Sequence, residues 1–434
     1  MSTDGALSRT RWLPRLIGVL LLLMGLALLA GGIKLSQLGG SLYYLIAGIG
    51  FALSGVLLLA LRRNALGLYG LVLLGSTLWA LWEVGLDWWQ LVPRLALWFA
   101  LGVVLLLPWA RRPLAGNPSK VNTGLLSLAV VLSGATAVAS QFTNPGEIQG
   151  ELGRDTTEFA SNAPQMPDGE WQAYGRTEYG DRYSPLRQIT PNNVHKLEEA
   201  WRIRTGDLPT DNDPVELTNQ NTPPSIQGSL VYPGNVGVFN WGSVSVDPVR
   251  QLLFTSPNYM AFVSKMVPRE QVAAGSKRES ETSGVQPNTG APYAVIMHPF
   301  MSPLGVPCQA PAWGYVAGID LTTNQVVWKH KNGTSRDSSP IPIGLPIGVP
   351  SMGGSIVTAG GLGFLSGTLD QYLRAYDTNT GKELWKARLP AGGQATPMTY
   401  TGKDGKQYVL VTAGGHGSLG TKMGDYVIAY KLSE

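Results

Sequence analysis

Histidine and cysteine side chains are scarce in this chain of 434 residues, which has four histidines and one cysteine. No two histidines have the spacing at which a helix or turn presents a pair of metal ligands, so the sequence does not predict a zinc hydrolase. His416 is flanked by glycines on a loop between two strand-like runs, and it is a candidate for ligand contact or catalysis. His195 and His330 are interpreted as structural. The single cysteine, Cys308, excludes an intramolecular disulfide and is predicted to be a small buried apolar residue.

Three glycines around His416 have the spacing G-x-G-x-x-G, which is typical of dinucleotide-binding folds. The motif follows a strand-like run, YVLVTAG, but such a site also needs a helix next and an acidic residue about 20 positions later. Here the next run is GDYVIAYKL, which is another strand. The sequence therefore argues against a Rossmann fold, and the glycines predict a tight turn or a close backbone approach. No G-x-S-x-G elbow and no P-loop sequence occurs.

Charge is divided unevenly along the chain, whose formal net charge is +4. Residues 1–140 hold 10 of the 33 basic side chains and only 3 of the 29 acidic ones, so this part carries +7 and the remainder −3. The basic excess belongs to the apolar part and predicts no nucleic-acid partner. A bilayer core of about 30 Å takes about 20 helical residues. Five apolar segments are predicted to span it: 12–33, 42–61, 65–82, 95–110 and 121–140.

The loops between these segments predict their orientation. Eight Lys and Arg residues lie before or at the start of the first segment and in the loops that join the second to the third and the fourth to the fifth, whereas the alternate loops hold two. By the positive-inside rule, the amino terminus is cytoplasmic and everything after residue 140 is periplasmic. The predicted location is the bacterial inner membrane, with the lipid bilayer as a partner. Tryptophans near the ends of the segments are predicted to be interfacial anchors: Trp79, Trp82, Trp88, Trp89, Trp98 and Trp109.

The sequence changes character after the apolar part. Residues 141–168 lack periodicity and are predicted to form a linker. Residues 169–434 consist of short β-branched and aromatic runs separated by Gly, Pro, Asn and Asp, which is typical of an all-β sandwich, barrel or propeller. The predicted domains are therefore a membrane anchor at 1–140, a linker at 141–168 and a β domain at 169–434.

An internal repeat favours the β-propeller among these folds. An aspartate stands eight residues before a tryptophan in two places, Asp320 before Trp328 and Asp377 before Trp385, with a turn sequence between them. A partial third copy ends at Trp201. Each copy predicts two strands joined by a tight turn, with the tryptophan packed against the next blade so that the stacked sheets share a core.

Five stretches of the second part resemble the membrane-bound glucose dehydrogenases that use pyrroloquinoline quinone (PQQ), in a group that includes quinate and shikimate dehydrogenases. The five predicted helices agree with this family. The stretches are EWQAYGRTEYGDRYSPLRQIT (170–190), NVHKLEEAWRIRTGD (193–207), NTPPSIQGSLVYPGNVGVFNWGSVSVDP (221–248), PCQAPAWGYVAGIDL (307–321) and LPAGGQATPMTY with AGGHGSLGTKMGDYVIAY (389–400 and 413–430).

The resemblance implies an eight-bladed propeller that binds PQQ on its axis beside Ca²⁺ or Mg²⁺. The cation would act as a Lewis acid on the quinone carbonyl. A carboxylate base would remove the proton of the sugar's anomeric hydroxyl while hydride leaves C1, so that D-glucose becomes gluconolactone. The electrons would pass to ubiquinone in the bilayer, which explains why such an enzyme is anchored in the membrane.

The sequence departs from this family because it is much shorter. Before about Pro223 it resembles the first blade, and after that point it resembles the last blades, which predicts an internal deletion and an incomplete propeller. The resemblance places the base aspartate and most metal ligands in the absent blades, so no residue is assigned to either role and activity is predicted to be impaired. An unclosed propeller would also expose sheet edges that invite pairing with another chain.

The residues that match cofactor-side or substrate-side positions of the family are Asn240, Trp241, Asn258, His416 and Gly417. All five are predicted to contact the cofactor, and His416 is also a candidate for substrate contact. The alternative is that they are turn and blade-packing residues.

Other functions are open. Within the family, quinate or shikimate is an alternative substrate. Outside it, the propeller could be a periplasmic scaffold that binds no cofactor. A transporter built on the helices is disfavoured, because the predicted spans carry no charge within the bilayer core.

Overall fold

The computed structural model contains two compact units, Met1–Pro145 and Gly146–Glu434, each with its own hydrophobic core. The predicted deletion point near Pro223 lies outside the described residues, as do residues 154–168 of the predicted linker. The structure describes residues 11–37, 39–115, 120–153, 169–171, 175–177, 180–204, 225–234, 236–242, 244–272, 284–288, 290–303, 305–338 and 342–433.

The first unit is α-helical, as predicted. Its helices are α1 (Trp12–Gln37), α2 (Tyr43–Leu59), α3 (Asn64–Val84), α4 (Trp88–Leu106), α5 (Pro108–Arg111) and α6 (Lys120–Ala139). Among the described residues, four segments are long and apolar enough to cross a membrane, namely Trp12–Gln37, Asn64–Val84, Trp88–Leu106 and Lys120–Phe142. The remaining predicted segment, 42–61, corresponds to α2, which is also apolar but has only 17 residues.

Helices α1 and α2 approach each other closely through small residues. A side chain at Gly25 would place its Cβ 2.5 Å from the Ala52 main-chain nitrogen, and one at Gly18 would lie 2.9 Å from the Gly55 carbonyl oxygen. Small residues at such a contact let two helix backbones pack in van der Waals contact, which is how helices associate where no hydrophobic effect drives them together.

One predicted membrane anchor has a different position. Trp98 is buried in the helical core, and its ring stacks on Phe51 with the centroids 3.9 Å apart. Its main-chain carbonyl also accepts a hydrogen bond of 2.6 Å from the Tyr69 hydroxyl. The interfacial prediction is wrong for Trp98, because α4 begins at Trp88 and this residue lies in its middle. Trp82 and Trp109, in contrast, are exposed.

The second unit is built from β-strands, as predicted. The strands are β1 (Tyr183–Ser184), β2 (Leu197–Arg204), β3 (Ser229–Val231), β4 (Val244–Asp247), β5 (Leu252–Thr255), β6 (Phe262–Pro268), β7 (Gly284–Gln286), β8 (Tyr293–Pro299), β9 (Tyr315–Asp320), β10 (Gln325–Lys331), β11 (Ser355–Thr358), β12 (Leu362–Leu365), β13 (Tyr372–Asp377), β14 (Glu383–Arg388), β15 (Met398–Thr401), β16 (Gln407–Ala413) and β17 (Tyr426–Leu432).

Three of the four sheets are antiparallel blades. Blade A has the order β4-β5-β9-β10, blade B has β11-β12-β13-β14 with β1 added in parallel beside β11, and blade C has β15-β16-β17-β2. One buried cluster, which includes Phe254 and Tyr376, joins blades A and B, and another, which includes Phe364 and Val411, joins blades B and C. Sheets that share a core in this way are the units of a propeller.

The tryptophan repeat lies on the outermost strand of each blade. Trp328, Trp385 and Trp201 each pair with a small residue of the neighbouring strand, respectively Gly318, Ala375 and Ala429, and each blade has a register shift beside this pair. The two complete copies are hairpins, β9–β10 and β13–β14. Their tryptophans contact the next blade, since Trp328 Nε1 donates to the Thr378 carbonyl at 3.1 Å and Trp385 packs edge-on against Tyr430. The predicted role of the repeat is confirmed.

The partial third copy is not a hairpin. Its strand β2 comes from the beginning of the β unit and pairs along its length with β17, near the end of the chain. It thus completes blade C from a distant part of the sequence. The fourth sheet has the order β3-β6-β8-β7. Three of its strands, β6, β7 and β8, lie between β5 and β9 of blade A in the sequence, whereas β3 precedes β4. We call it the inserted sheet.

Two further features concern residues considered above. Ile148, in the segment predicted as a linker, exchanges two backbone hydrogen bonds of 2.9 Å with Lys329 of β10, so part of this segment lies along blade A. Cys308 is exposed, and the prediction that it is buried is wrong. Its main-chain N–H donates to the Phe300 carbonyl at 2.9 Å, in a loop after the inserted sheet.

Candidate functional site

Four loops of the β unit meet on an apolar base. They are residues 236–242 after the inserted sheet's first strand, residues 256–261 after β5, residues 350–354 before β11, and residues 414–421 between β16 and β17. Val236, Phe262 and Met352 form a buried cluster there, with Met260 and Leu419 packed against it. One hydrophobic cluster thus joins loops that lie as far apart in the sequence as Val236 and Leu419.

Trp241 and His416, two of the predicted site residues, are brought together by two of these loops. Their rings are stacked at 26° with the centroids 5.3 Å apart. The Trp241 side chain remains 38% exposed, so the stack presents an aromatic surface to solvent. Arg182 Nη2 donates to the Trp241 carbonyl at 3.3 Å, which fixes the loop from the side of blade B.

The predicted residue Asn240 shapes the loop that carries Trp241. Its Nδ2 donates to the Val236 carbonyl at 2.9 Å, and its Oδ1 accepts from the Trp241 N–H at 2.7 Å. Gly237 has φ +72, so the turn uses a backbone conformation that other residues rarely adopt. Asn240 thus holds Trp241 in place from within its own turn.

Asn258, another predicted site residue, is only 1% exposed. Its Nδ2 donates to the Ser351 carbonyl at 2.7 Å, while its Oδ1 accepts from the Ser351 N–H at 2.8 Å. Its own N–H donates to the Val238 carbonyl at 2.8 Å. In this arrangement Asn258 joins three of the four loops, which is the blade-packing role considered as its alternative.

The loop with His416 and Gly417 is held by its neighbours in blade C. The His416 N–H donates to Thr421 Oγ1 at 2.8 Å, and this hydroxyl donates to Gln394 Oε1 at 3.1 Å. Gly415 has φ +79, and a Cβ there would overlap the main chain of Lys422. The prediction that this glycine permits a close backbone approach is confirmed.

Sequence reasoning missed Gln394. The residue is 4% exposed, and its amide nitrogen has no hydrogen-bond partner among the described residues. It stands in the run AGGQATP, where neither spacing nor a motif distinguishes it from an ordinary loop residue. Only its burial beside the His416 loop identifies it.

A carboxyl also lies next to Arg182 in the sequence. Burial raises the pKa of Asp181, although hydrogen bonds from Tyr183 and Thr177 oppose this effect. Its Oδ1 accepts from the Tyr183 N–H at 3.2 Å and from the Thr177 hydroxyl at 3.4 Å. These bonds give the carboxyl a role in the turn that leads into β1.

The arrangement suits a flat, anionic organic ligand. An exposed aromatic stack offers a face to a planar ring system, and a buried amide N–H is the kind of donor that binds carbonyl or carboxylate oxygen. Among the described residues, no three His, Cys, Asp or Glu side chains are grouped so that they could hold a metal ion. The predicted Ca²⁺ or Mg²⁺ therefore has no assigned ligands in this part of the chain.

Comparison with known proteins matches this unit to one family. The family model described as the PQQ glucose/ethanol/alcohol dehydrogenase β-propeller domain matches residues 171–224 and 219–409. The quinoprotein glucose dehydrogenase of Escherichia coli K12 is 52% identical over 222 residues, which are 49% of this chain and 28% of that protein.

Two further relatives also match this chain over only a part of their own length. The quinoprotein glucose dehydrogenase of Gluconobacter oxydans 621H is 53% identical over 308 residues, 65% of this chain and 37% of the relative. A probable quinate dehydrogenase (quinone) of Xanthomonas campestris pv. juglandis is 44% identical over 222 residues, 49% of this chain and 28% of the relative. The chain thus spans about a third of the length of the curated relatives it matches. The family match, however, extends over more than half of the chain and includes all of blades A and B with the loops of Trp241 and Gln394, so this chain belongs to the PQQ-type glucose/ethanol/alcohol dehydrogenase β-propeller family.

Proposed function

We propose that this chain is a membrane-bound quinoprotein dehydrogenase that binds PQQ on the loops around Trp241 and His416 and oxidises an aldose, with D-glucose as the substrate and gluconolactone as the product. The observation that carries the proposal is the Trp241–His416 stack beside the buried Gln394 amide. Both loops of the stack belong to stretches that resemble the glucose dehydrogenases, and relatives at 52–53% identity bear that name.

The residues of the site have defined tasks in this proposal. PQQ supplies the oxidising equivalent, because it accepts a hydride from C1 of the sugar when bound. The exposed Trp241 face supports one side of a planar ring system, and Asn240 and Arg182 hold the loop that carries it. The buried cluster of Val236, Phe262 and Met352, with Leu419 packed against it, joins the two loops that carry the stack.

The helical unit gives the proposal its cellular location. We place it in the bacterial inner membrane with the β unit in the periplasm, since the basic residues concentrate in the loops of one side. Electrons released by the reaction would then pass to ubiquinone, a lipid-soluble acceptor. The four span-length helices support a membrane protein, and the basic loops support its orientation.

We further propose that turnover by this chain is strongly impaired. The family model matches in two separate pieces that meet at residues 219–224, which supports a loss of the middle blades at that point. The resemblance assigns the base aspartate and most ligands of Ca²⁺ or Mg²⁺ to those blades. A proton acceptor and a Lewis acid each contribute to hydride removal. A chain that lacks both would therefore bind the cofactor but oxidise the sugar slowly.

Two measurements test the proposal. The full chain in detergent is titrated with PQQ, and a saturable absorbance change is expected, whereas a scaffold that binds no cofactor would give none. Isolated membranes are then supplied with PQQ, Mg²⁺ or Ca²⁺, glucose and a quinone-like dye, and dye reduction far below that of a full-length relative is expected. A rate equal to that of the relative would refute the impairment.

Quinate or shikimate is the second candidate substrate, which the 44% identity to the quinate dehydrogenase supports. Residual dye reduction with glucose, quinate and shikimate in the same membranes separates the candidates. A rate above background with quinate and none with glucose would replace the proposed substrate.

A further inference from the structure

The buried amide of Gln394 is held in a fixed orientation. Its Oε1 accepts a hydrogen bond of 3.1 Å from Thr421 Oγ1, which itself accepts from the His416 N–H at 2.8 Å. The His416 carbonyl lies farther from the same hydroxyl, at 3.4 Å, so the glutamine oxygen is the nearer acceptor. The amide nitrogen then points away from Thr421, and no acceptor for it exists among the described residues.

A buried donor without an acceptor is unusual in a folded protein. Most buried polar groups have a partner, because an unsatisfied one loses its bonds to water and gains nothing in return. A second glutamine of blade C shows the usual situation. Gln407 is 2% exposed, its Nε2 donates to Thr399 Oγ1 at 3.0 Å, and its Oε1 accepts from the Ile189 N–H at 3.0 Å.

The position of Gln394 indicates which group could accept a hydrogen bond from its amide. The Thr421 side chain links Gln394 to the His416 main chain, and the His416 ring stacks on Trp241. The amide group of Gln394 therefore lies next to the His416 loop of the candidate site.

We propose that Gln394 is a cofactor-binding residue, whose amide Nε2 donates a hydrogen bond to a carbonyl or carboxylate oxygen of the bound quinone, and that Thr421 is the positioning residue that orients it. The inference rests on the proposed function, because it requires PQQ at the Trp241–His416 stack. A hydrogen bond to a charged oxygen contributes more than one between neutral groups, so its loss is expected to weaken binding by roughly tenfold to a hundredfold.

The test compares two matched substitutions in the full chain. Gln394→Met and Gln407→Met remove the same amide from buried positions of one blade. PQQ affinity is measured by absorbance titration, and the melting temperature is measured without PQQ. We expect Gln394→Met to bind PQQ at least tenfold more weakly with a melting temperature close to that of the original chain. Gln407→Met should melt at a lower temperature but bind PQQ with unchanged affinity.

A second variant keeps the test decisive if methionine disturbs the loop. Gln394→Glu preserves the shape and the acceptor for Thr421 but replaces the donor by a carboxylate, so PQQ binding should weaken further as pH rises through the titration of that group. Equal PQQ affinity in Gln394→Met, Gln394→Glu and the original chain would overturn the role of Gln394 while leaving the proposed function intact. If the original chain shows no saturable binding, the proposed function fails and this inference fails with it.

Discussion

Replacing Trp328 by alanine should destabilise the β unit more than replacing Trp201, although both tryptophans occupy the same place in their blades. Trp328 is fully buried, contacts Phe254 at 5.8 Å between ring centroids and donates to the Thr378 carbonyl of blade B. Trp201 lies on the outermost strand of blade C, where no following blade covers it within the described residues. Its Nε1 donates to the Tyr400 hydroxyl of its own sheet at 3.2 Å.

The magnitude follows from what each substitution removes. Truncating a buried tryptophan to alanine costs about 3–5 kcal/mol, and Trp328→Ala also leaves the Thr378 carbonyl without its partner, which places the expected loss near the upper end, about 4–5 kcal/mol. Trp201 buries only part of its surface, so Trp201→Ala should cost about 1–2 kcal/mol. At roughly 2–4 °C per kcal/mol for a unit of this size, the melting temperatures of the two variants should differ by about 10 °C.

Thermal unfolding of the full chain in detergent, followed by near-UV circular dichroism, measures this difference. Val326→Ala is a matched control on the same strand as Trp328, because its side chain is exposed, and it should leave the melting temperature nearly unchanged. Equal losses of melting temperature for Trp328→Ala and Trp201→Ala would refute the argument. They would mean that another surface covers Trp201 as completely as blade B covers Trp328.

Two further changes test the core and the site. Burial alone would raise the pKa of Asp370, but hydrogen bonds and charge from Arg374 leave it below its ordinary value, so the stabilisation by this pair is complete above about pH 4 and is lost as pH falls below that value. Asp370→Asn should lower the free energy of unfolding at pH 7 by about 3–5 kcal/mol and flatten its dependence on pH in acid, as chemical denaturation between about pH 3 and 7 would show. Trp241→Ala should weaken PQQ binding about tenfold by removing the stacking surface, whereas Phe239→Ala, an exposed aromatic on the same loop, should leave the titration unchanged.

Local sequence patterns predicted the blade hairpins because the determining contacts are local. Asp320 Oδ1 accepts from the Thr322 N–H at 2.8 Å, and Asp377 Oδ1 accepts from the Asn379 N–H at 2.7 Å. Each aspartate thus fixes the turn that sets the register of its tryptophan eight residues later. Such side-chain to main-chain bonds are encoded within a few residues, and a repeat of them is visible in one sequence.

The parts that escaped prediction depend on residues far apart in the chain. Strand β2 resembles the end of a hairpin in sequence, yet it pairs with β17 more than 200 residues away. Gln394 is an ordinary loop residue until the fold buries it beside Thr421. Trp98 stands near the start of the predicted segment 95–110, which favours an interfacial anchor. The Asp87 carboxylate, however, accepts from the Trp89 N–H at 3.0 Å and caps a helix that begins at Trp88, so Trp98 lies in its middle.

The turns of blades A and B differ at the position that receives a tryptophan from the preceding blade. In blade B the turn residue that receives Trp328 is Gly381, with φ +72, and a Cβ there would overlap the indole ring. The equivalent residue in blade A is Asn324, which has φ +57 and carries a side chain. Trp201 therefore cannot dock on blade A as Trp328 docks on blade B. The interface that follows blade C requires a differently shaped surface, such as that of a blade from the segment proposed to be missing.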